Sequence, residues 1–433
     1  MNKEHLFAEK LIDFIYESPS AFHAVNNIKN DLTQKGFLEL NEGERWEIQK
    51  GGHYYVRRND SALIAFTVGN GIIAKKGFKL ISAHTDSPGF RIKPSPEITS
   101  EGEYIKLNTE VYGGPILNTW LDRPLSLAGR ITIKNSNVLF PATRLVNIKR
   151  PILIIPNLAI HMNRAVNKGI ELNKQVDLLP IISMVNDSLE TDNLLLKTIS
   201  KELGLNMEDI LDFDLYLYEF EKGNIIGLNN EFVSSSRLDD LEMLHAAFSA
   251  FMNSSTTRGT NVLVCFDNEE IGSRTEQGAD SEFLANILER IVICFGGDRE
   301  DYFRALNKSF MISADAAHAV HPNKGEKSDP TNRPIINKGP VLKISANHKY
   351  TSDSISSSVY ATICKKCNVP MQKFVNRSDE VGGSTIGPIS SSHVSIRSVD
   401  IGTPLLAMHS IRELCGVMDH SYVTQTFEEF YKL

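Results

Sequence analysis

The chain has 433 residues, 41% hydrophobic and 23% charged, a globular composition with room for two or three domains and no bias toward disorder or fibre. Its 46 basic and 53 acidic side chains leave a net charge of −7, and no dense Lys/Arg run supplies the basic stripe that a nucleic-acid partner would need. Five scattered cysteines argue for a reducing compartment rather than a disulfide framework, and no apolar window is long enough to predict a membrane span.

In chain order, residues 3–16 predict an amphipathic helix without the apolar core of a signal peptide. Residues 20–35 predict a second helix, with Ser20 as its N-cap. Ala62–Val68 and Phe78–Ala83 read as strands. The middle of the chain is strand-rich: EYIKLNTEVY, LSLAGRITIKNS, RPILIIPNLAIH and DFDLYLYEF, with a helix near Asp192–Leu203. Past residue 225 helix and strand alternate again. Leu238–Met252 carries Leu241, Leu244, Phe248 and Phe251 at helical spacing, and Asn261–Phe266 and Phe310–Ser313 are apolar strand runs. This alternation predicts an α/β fold with a mainly parallel sheet covered on both faces. The domain expected to carry it is assembled from 1–94 and 221–433, with a β-rich domain, 95–220, inserted between.

Four apolar runs end in acid or histidine. Phe78–Ala83 leads to His84 and Asp86, and Val262–Phe266 to Asp267, Glu269 and Glu270. Phe310–Ser313 leads to Asp315 and His318, and Pro404–Met408 to His409; Asp239 and Asp240 precede the Leu241 helix. Ligands of open α/β sheets sit beyond the carboxyl ends of the strands, so these groups are expected to converge. Histidine and carboxylate together suit zinc, manganese or cobalt. Taken singly, each has a plainer reading. His84 and Asp86 fit a surface pair, Glu269 and Glu270 two solvated charges, Asp315 a turn cap, Asp239 a helix start and His409 a buried core histidine. Spacing alone leaves Asp315 and the pair His318 and His321 as alternative ligands. A lone Cys364-x-x-Cys367 carries no metal expectation.

The same residues lie in longer motifs: SAHTDSPGFRIKP, YGGPILNTWLDRPLSLAGR, IPNLAIHMNR, SSRLDDL, FDNEEIGS, SADAAHAVHPN, KGPVLK, GGSTIGP and LLAMHSIRE, in this order from residue 82 to 413. Through them the sequence resembles the M18 (aspartyl aminopeptidase) family of dinuclear zinc exopeptidases. The resemblance implies a three-layer, mixed-sheet zinc-exopeptidase domain with an inserted β-rich dimerisation domain. It also implies a homododecamer built from dimers, acting on peptides with a free N-terminus, in the cytoplasmic location that the scattered cysteines and the missing signal peptide and membrane span already lead one to expect. Two divalent ions, zinc or else manganese or cobalt, would be held by His84, Asp239, Glu270, Asp315 and His409, with Asp239 bridging. Asp86 would orient His84 and Glu269 would be the general base. His161 would reach a neighbouring subunit's site, and Lys343 and the loop around Gly383 would line the substrate pocket. The family name implies an N-terminal Asp or Glu, paired with a cation such as Lys343 or Arg91. One departure is visible: Asp240 stands where the family more often has Asn, which adds negative charge or caps the helix.

Overall fold

The computed structural model describes residues 3–185 and 193–433. Packing divides the chain into two compact units, Met1–Asp86 with Gly223–Met408 and Glu413–Leu433, and Ser87–Lys222 with His409–Arg412.

The first unit is built on a mixed sheet of nine strands among the described residues. Its centre is Phe78–His84, parallel to Thr260–Phe266 on one side and to Phe310–Ala314 on the other, and Phe310–Ala314 is parallel in turn to Arg397–Gly402. Every residue of Phe78–His84 and of Thr260–Phe266 is buried, because helices cover both faces. Alternation along each strand divides the side chains between two cores. Ile81, Ala83, Leu263, Cys265, Ile312 and Ala314 face the first, with the helices Leu238–Asn253 and Val417–Lys432. Phe78, Leu80, Val262, Val264, Phe266 and Met311 face the second, with Phe283–Cys294 and Ile386–Val394. The first unit is thus helix, sheet, helix. A smaller five-stranded sheet carries Phe232–Ser235 beside Glu413–Gly416, which sets Glu413 opposite Ser235, four residues ahead of Asp239.

The second unit is a six-stranded antiparallel sheet in which Ile210–Glu219 lies between Leu125–Ile133 and Gly89–Ser100. Its own core gathers Phe90, Leu107, Leu127, Ile131, Leu215 and Leu217, closed by Leu195 and Ile199 of the helix Leu194–Leu203. Asp192, expected in that helix, lies outside the described residues.

Three local expectations are corrected. RPILIIPNLAIH forms no regular strand: only Leu153 and Ile154 make isolated bridges, to Leu125 and Ile181. Pro151 and Pro156 lack the amide a ladder needs, and beyond Pro156 the backbone is irregular and exposed. Ser20 stands at the N-cap of Ala21–Gln34, but its hydroxyl meets His23 Nδ1 at 2.8 Å instead of a backbone amide. The helix Leu238–Asn253 begins with non-helical dihedrals at Asp239 and Asp240, whose joining peptide is cis.

Candidate functional site

Three strand ends and one helix start of the first unit meet. His84 closes its strand, 1% exposed, with Nδ1 3.1 Å from the Asp86 carbonyl and 3.3 Å from Asp86 Oδ1. Its Nε2 lies 3.4 Å from Asp239 Oδ1. The two carboxylate oxygens of Asp86 also accept the amides of Glu269 and Glu270, at 3.1 and 3.2 Å. One side chain therefore touches the histidine and fixes the turn that follows Thr260–Phe266. That turn is entered through Asn268 in the left-handed region, φ 62°, whose Oδ1 accepts from Thr275 and Gln277.

Asp239 is held by its backbone, which donates to Glu413 Oε2 at 3.0 Å. Asp240 is fully buried and accepts the amides of His84 at 3.1 Å and Ala316 at 3.2 Å. It caps no helix; it ties the ends of two neighbouring strands to the helix start. Asp315 receives Lys343 Nζ at 3.2 Å, and the same ammonium donates to the Ala316 carbonyl at 2.9 Å.

Ligand atoms of His84, Asp239, Asp240 and Asp315 all lie within 4.8 Å of one another, as do those of His84, Glu269 and Glu270. Nitrogen with carboxylate oxygen is the donor set of zinc and manganese, so these residues fit a divalent metal. The electrostatics point the same way. Burial, and then the charges of its neighbours, pushes Glu269 up to about 8. Asp240 and Glu270 are raised well above the usual carboxylate range, again by burial first, and Asp267 to about 7. Burial alone would lower His84, but Asp240, Asp239 and Asp86 overcome it and raise its pKa. Carboxylates packed this closely resist joint ionisation unless a cation compensates them.

The remaining expected residues fall outside these two donor groups. His318 and His321 belong to no donor group among the described residues. Lys343 is 3% exposed and already bound to Asp315. Gly383 lies in an exposed loop with open space around it. That loop is tied down at Gly382 by Lys349 and at Thr385 by Asp400, 2.6 Å away. His161 and His409 both fall in the second unit. His161 is exposed on the irregular stretch after Pro156, and His409 Nδ1 is 3.0 Å from the Gly114 carbonyl. Arg91 is paired there with Asp214, at 2.7 Å. All five cysteines are free. Sequence reasoning gave Glu413 no role and Asp240 no certain one, because both act through backbone amides remote in sequence.

The model of the aminopeptidase I zinc metalloproteases (M18) matches residues 14–431. A probable M18 family aminopeptidase 2 of Clostridium acetobutylicum is 67% identical over 433 residues, the whole of both chains. Among solved structures, Ape4 in complex with Nbr1 is similar at a TM-score of 0.92 and 37% identity, covering 98% of this chain and 85% of that one. The mApe1 dodecamer of S. cerevisiae is similar at 0.85 and 28% identity, covering 98% and 96%.

The raised carboxylates give a pH dependence whose sign is fixed. A carboxyl with a folded pKa above its unfolded one stabilises the fold below the unfolded value and loses that contribution as pH rises through the folded value. Glu269 sets the window between about 4.5 and about 8. Protein stripped of metal by a chelator is expected to melt at a lower temperature at pH 8 than at pH 5. Saturating zinc should restore the higher Tm at pH 8. Thermal unfolding at both pH values, with and without metal, checks this.

Proposed function

The chain belongs to the M18 family of zinc aminopeptidases, and from that premise we propose how this site removes one N-terminal residue from a peptide. The reading rests on one observation: Asp86 touches His84 while gripping the amides of both Glu269 and Glu270. Two adjacent carboxylates held at their backbone both reach the neighbourhood of His84, which lets one bind metal while the other moves a proton.

His84, Asp239, Glu270, Asp315 and His409 would hold two divalent ions, with Asp239 shared between them; zinc fits the family, and manganese or cobalt fits the same donors. Such ions would supply Lewis acidity toward the scissile carbonyl and would lower the pKa of a bound water. Glu269 takes the proton of the attacking water and returns it to the departing amine. Burial raises its proton affinity toward neutrality, where a general base works best. Asp86 keeps the His84 ring oriented. Asp240 holds His84 and Ala316 in place by their amides, so its extra charge relative to Asn also gives a second acceptor. Lys343 offsets the charge of Asp315.

We also assign the protein self-association as a homododecamer built from dimers, on its likeness to the S. cerevisiae dodecamer. The inserted unit would make the dimer contact, where Leu158, Ile160 and Met162 are exposed on the stretch that carries His161. His161 would then stabilise the oxyanion in a neighbouring copy's site. The free cysteines fit a cytoplasmic location. No helix among the described residues is long and apolar enough to cross a membrane.

An N-terminal Asp or Glu is the proposed preference. A neutral preference is a second reading, favoured by one observation: Lys343 and Arg91 are each already paired with a carboxylate. Comparing kcat/KM on otherwise identical peptides starting with Asp, Glu, Leu or Lys separates them. The first reading expects Asp and Glu ahead by at least about tenfold, the scale of a single charged contact; faster cleavage of Leu would establish the second.

Glu269→Gln keeps the shape and removes the base. It should lower kcat by about 10²–10⁴-fold while the metal content by elemental analysis stays unchanged. A variant with metal bound and more than about a tenth of wild-type kcat would remove Glu269 from the role.

A further inference from the structure

At the opposite end of the central strands from the carboxylate cluster lies a pocket with the reverse electrostatics. It has a volume of about 540 Å³ and lies entirely within the first unit, where Phe78–His84 and Phe310–Ala314 begin. Five cations line it: Lys76, Lys79, Arg258, Lys308 and Lys432. No aspartate or glutamate lies among the described residues that do so. In a chain whose net charge is −7, such a grouping is not a sample of the average surface.

The cations are also largely uncompensated. Lys432 has Glu429 at 3.9 Å, but no ion pair to a side chain is found for Lys76, Lys79, Arg258 or Lys308 among the described residues. Lys79 is the built part of the pocket. It is only 9% exposed, and its ammonium donates to Thr257 Oγ1 at 3.0 Å and to the main-chain oxygens of Tyr431, at 2.5 Å, and Leu433, at 2.9 Å. The Thr257 and Tyr431 oxygens are neutral, whereas the Leu433 oxygen belongs to the terminal carboxylate, so Lys79 is fixed in position and paired with one negative charge. Burial still lowers its pKa to about 8. A low-dielectric concavity in which one sign of charge predominates, here five cations against one terminal carboxylate, concentrates counter-ions of the other.

We propose that this pocket is a binding site for a small phosphate-bearing anion, either an inorganic polyphosphate or a nucleotide. Its volume lies within the range of small-molecule sites. Multiply charged phosphoryl oxygens match several converging lysines and an arginine better than a single carboxylate does. Lys79 precedes His84 by five residues on one extended strand, about 17 Å at ~3.3 Å per residue, so the bound anion would not occupy the hydrolytic site. An effect on peptidase activity would have to pass along the strands.

The test is calorimetric titration of the enzyme as purified with inorganic pyrophosphate and, separately, with ADP. Wild type is compared with the double variant Arg258→Glu, Lys308→Glu and with Lys76→Gln. All three side chains are exposed, so the fold should tolerate the changes. Wild type should bind at least one of the two ligands, more weakly as salt is raised. The double variant should lose at least about tenfold in affinity and Lys76→Gln severalfold, with kcat/KM on peptides unchanged in the absence of the anion. Tighter binding of pyrophosphate identifies the inorganic ion, and tighter binding of ADP a nucleotide; each supports the site. Failure of wild type to bind either ligand overturns it. So does equal binding by wild type and the double variant, which would place the anion on the metal centre instead.

Discussion

Buried carboxylates that lie within a few ångströms of one another are the constraint on which the rest of this structure depends. Asp239, Asp240, Asp315, Glu269 and Glu270 are gathered around one histidine, and burial disfavours the charge of Asp240, Asp315, Glu269 and Glu270. Left to themselves, such groups would take up protons or move apart. The fold holds them in two ways. Backbone amides are turned toward Asp86 and Asp240, so that two of the acids act as braces. The remaining donors fall in groups that share His84, where a divalent cation would return what burial removes.

The parallel sheet makes this possible. Four neighbouring strands end on the same edge, and their burial on both faces leaves little freedom at their carboxyl termini. A helix that begins with non-helical backbone delivers Asp239 and Asp240 to that edge instead of directing them along its own axis. Lys343, on the strand Val341–Lys343, then stands against Asp315 as a fixed cation. These amide contacts and the Lys343 ion pair would hold the carboxylates in place before any ligand arrives, and such preorganisation suits a reaction whose barrier is lowered by positioned charge.

Much of the sheet was legible in the sequence, because a strand buried on both faces must be an unbroken apolar run. Phe78–Ala83, Asn261–Phe266 and Phe310–Ser313 read as strands and are strands. Polar residues directly after such runs were legible as a converging set, and His84, Asp239, Glu269, Glu270 and Asp315 do fall in the donor groups. RPILIIPNLAIH misled because its apolar side chains match a strand while its prolines deny it a ladder. What spacing could not reveal was which acids receive amides. The partners of Asp240 lie 156 and 76 residues away, and Glu413 reaches Asp239 across 174, contacts that only the folded chain defines. Ser20 is the N-cap that the sequence pointed to, but a nearby histidine takes its hydroxyl in place of a backbone amide. The basic pocket stayed hidden as well, since its cations come from five separate positions between Lys76 and Lys432 and form no run.

The chemistry of this protein depends on the metal centre. The most direct measurement is an anomalous difference map at the zinc edge from crystals of the zinc-loaded protein. Two peaks are predicted, with Asp239 between them, His84 on one ion, and Glu269 close by but bound to neither. A single peak away from Asp239, or none, would contradict the dinuclear reading, and a peak coordinated by Glu269 would deny that side chain its place as the base.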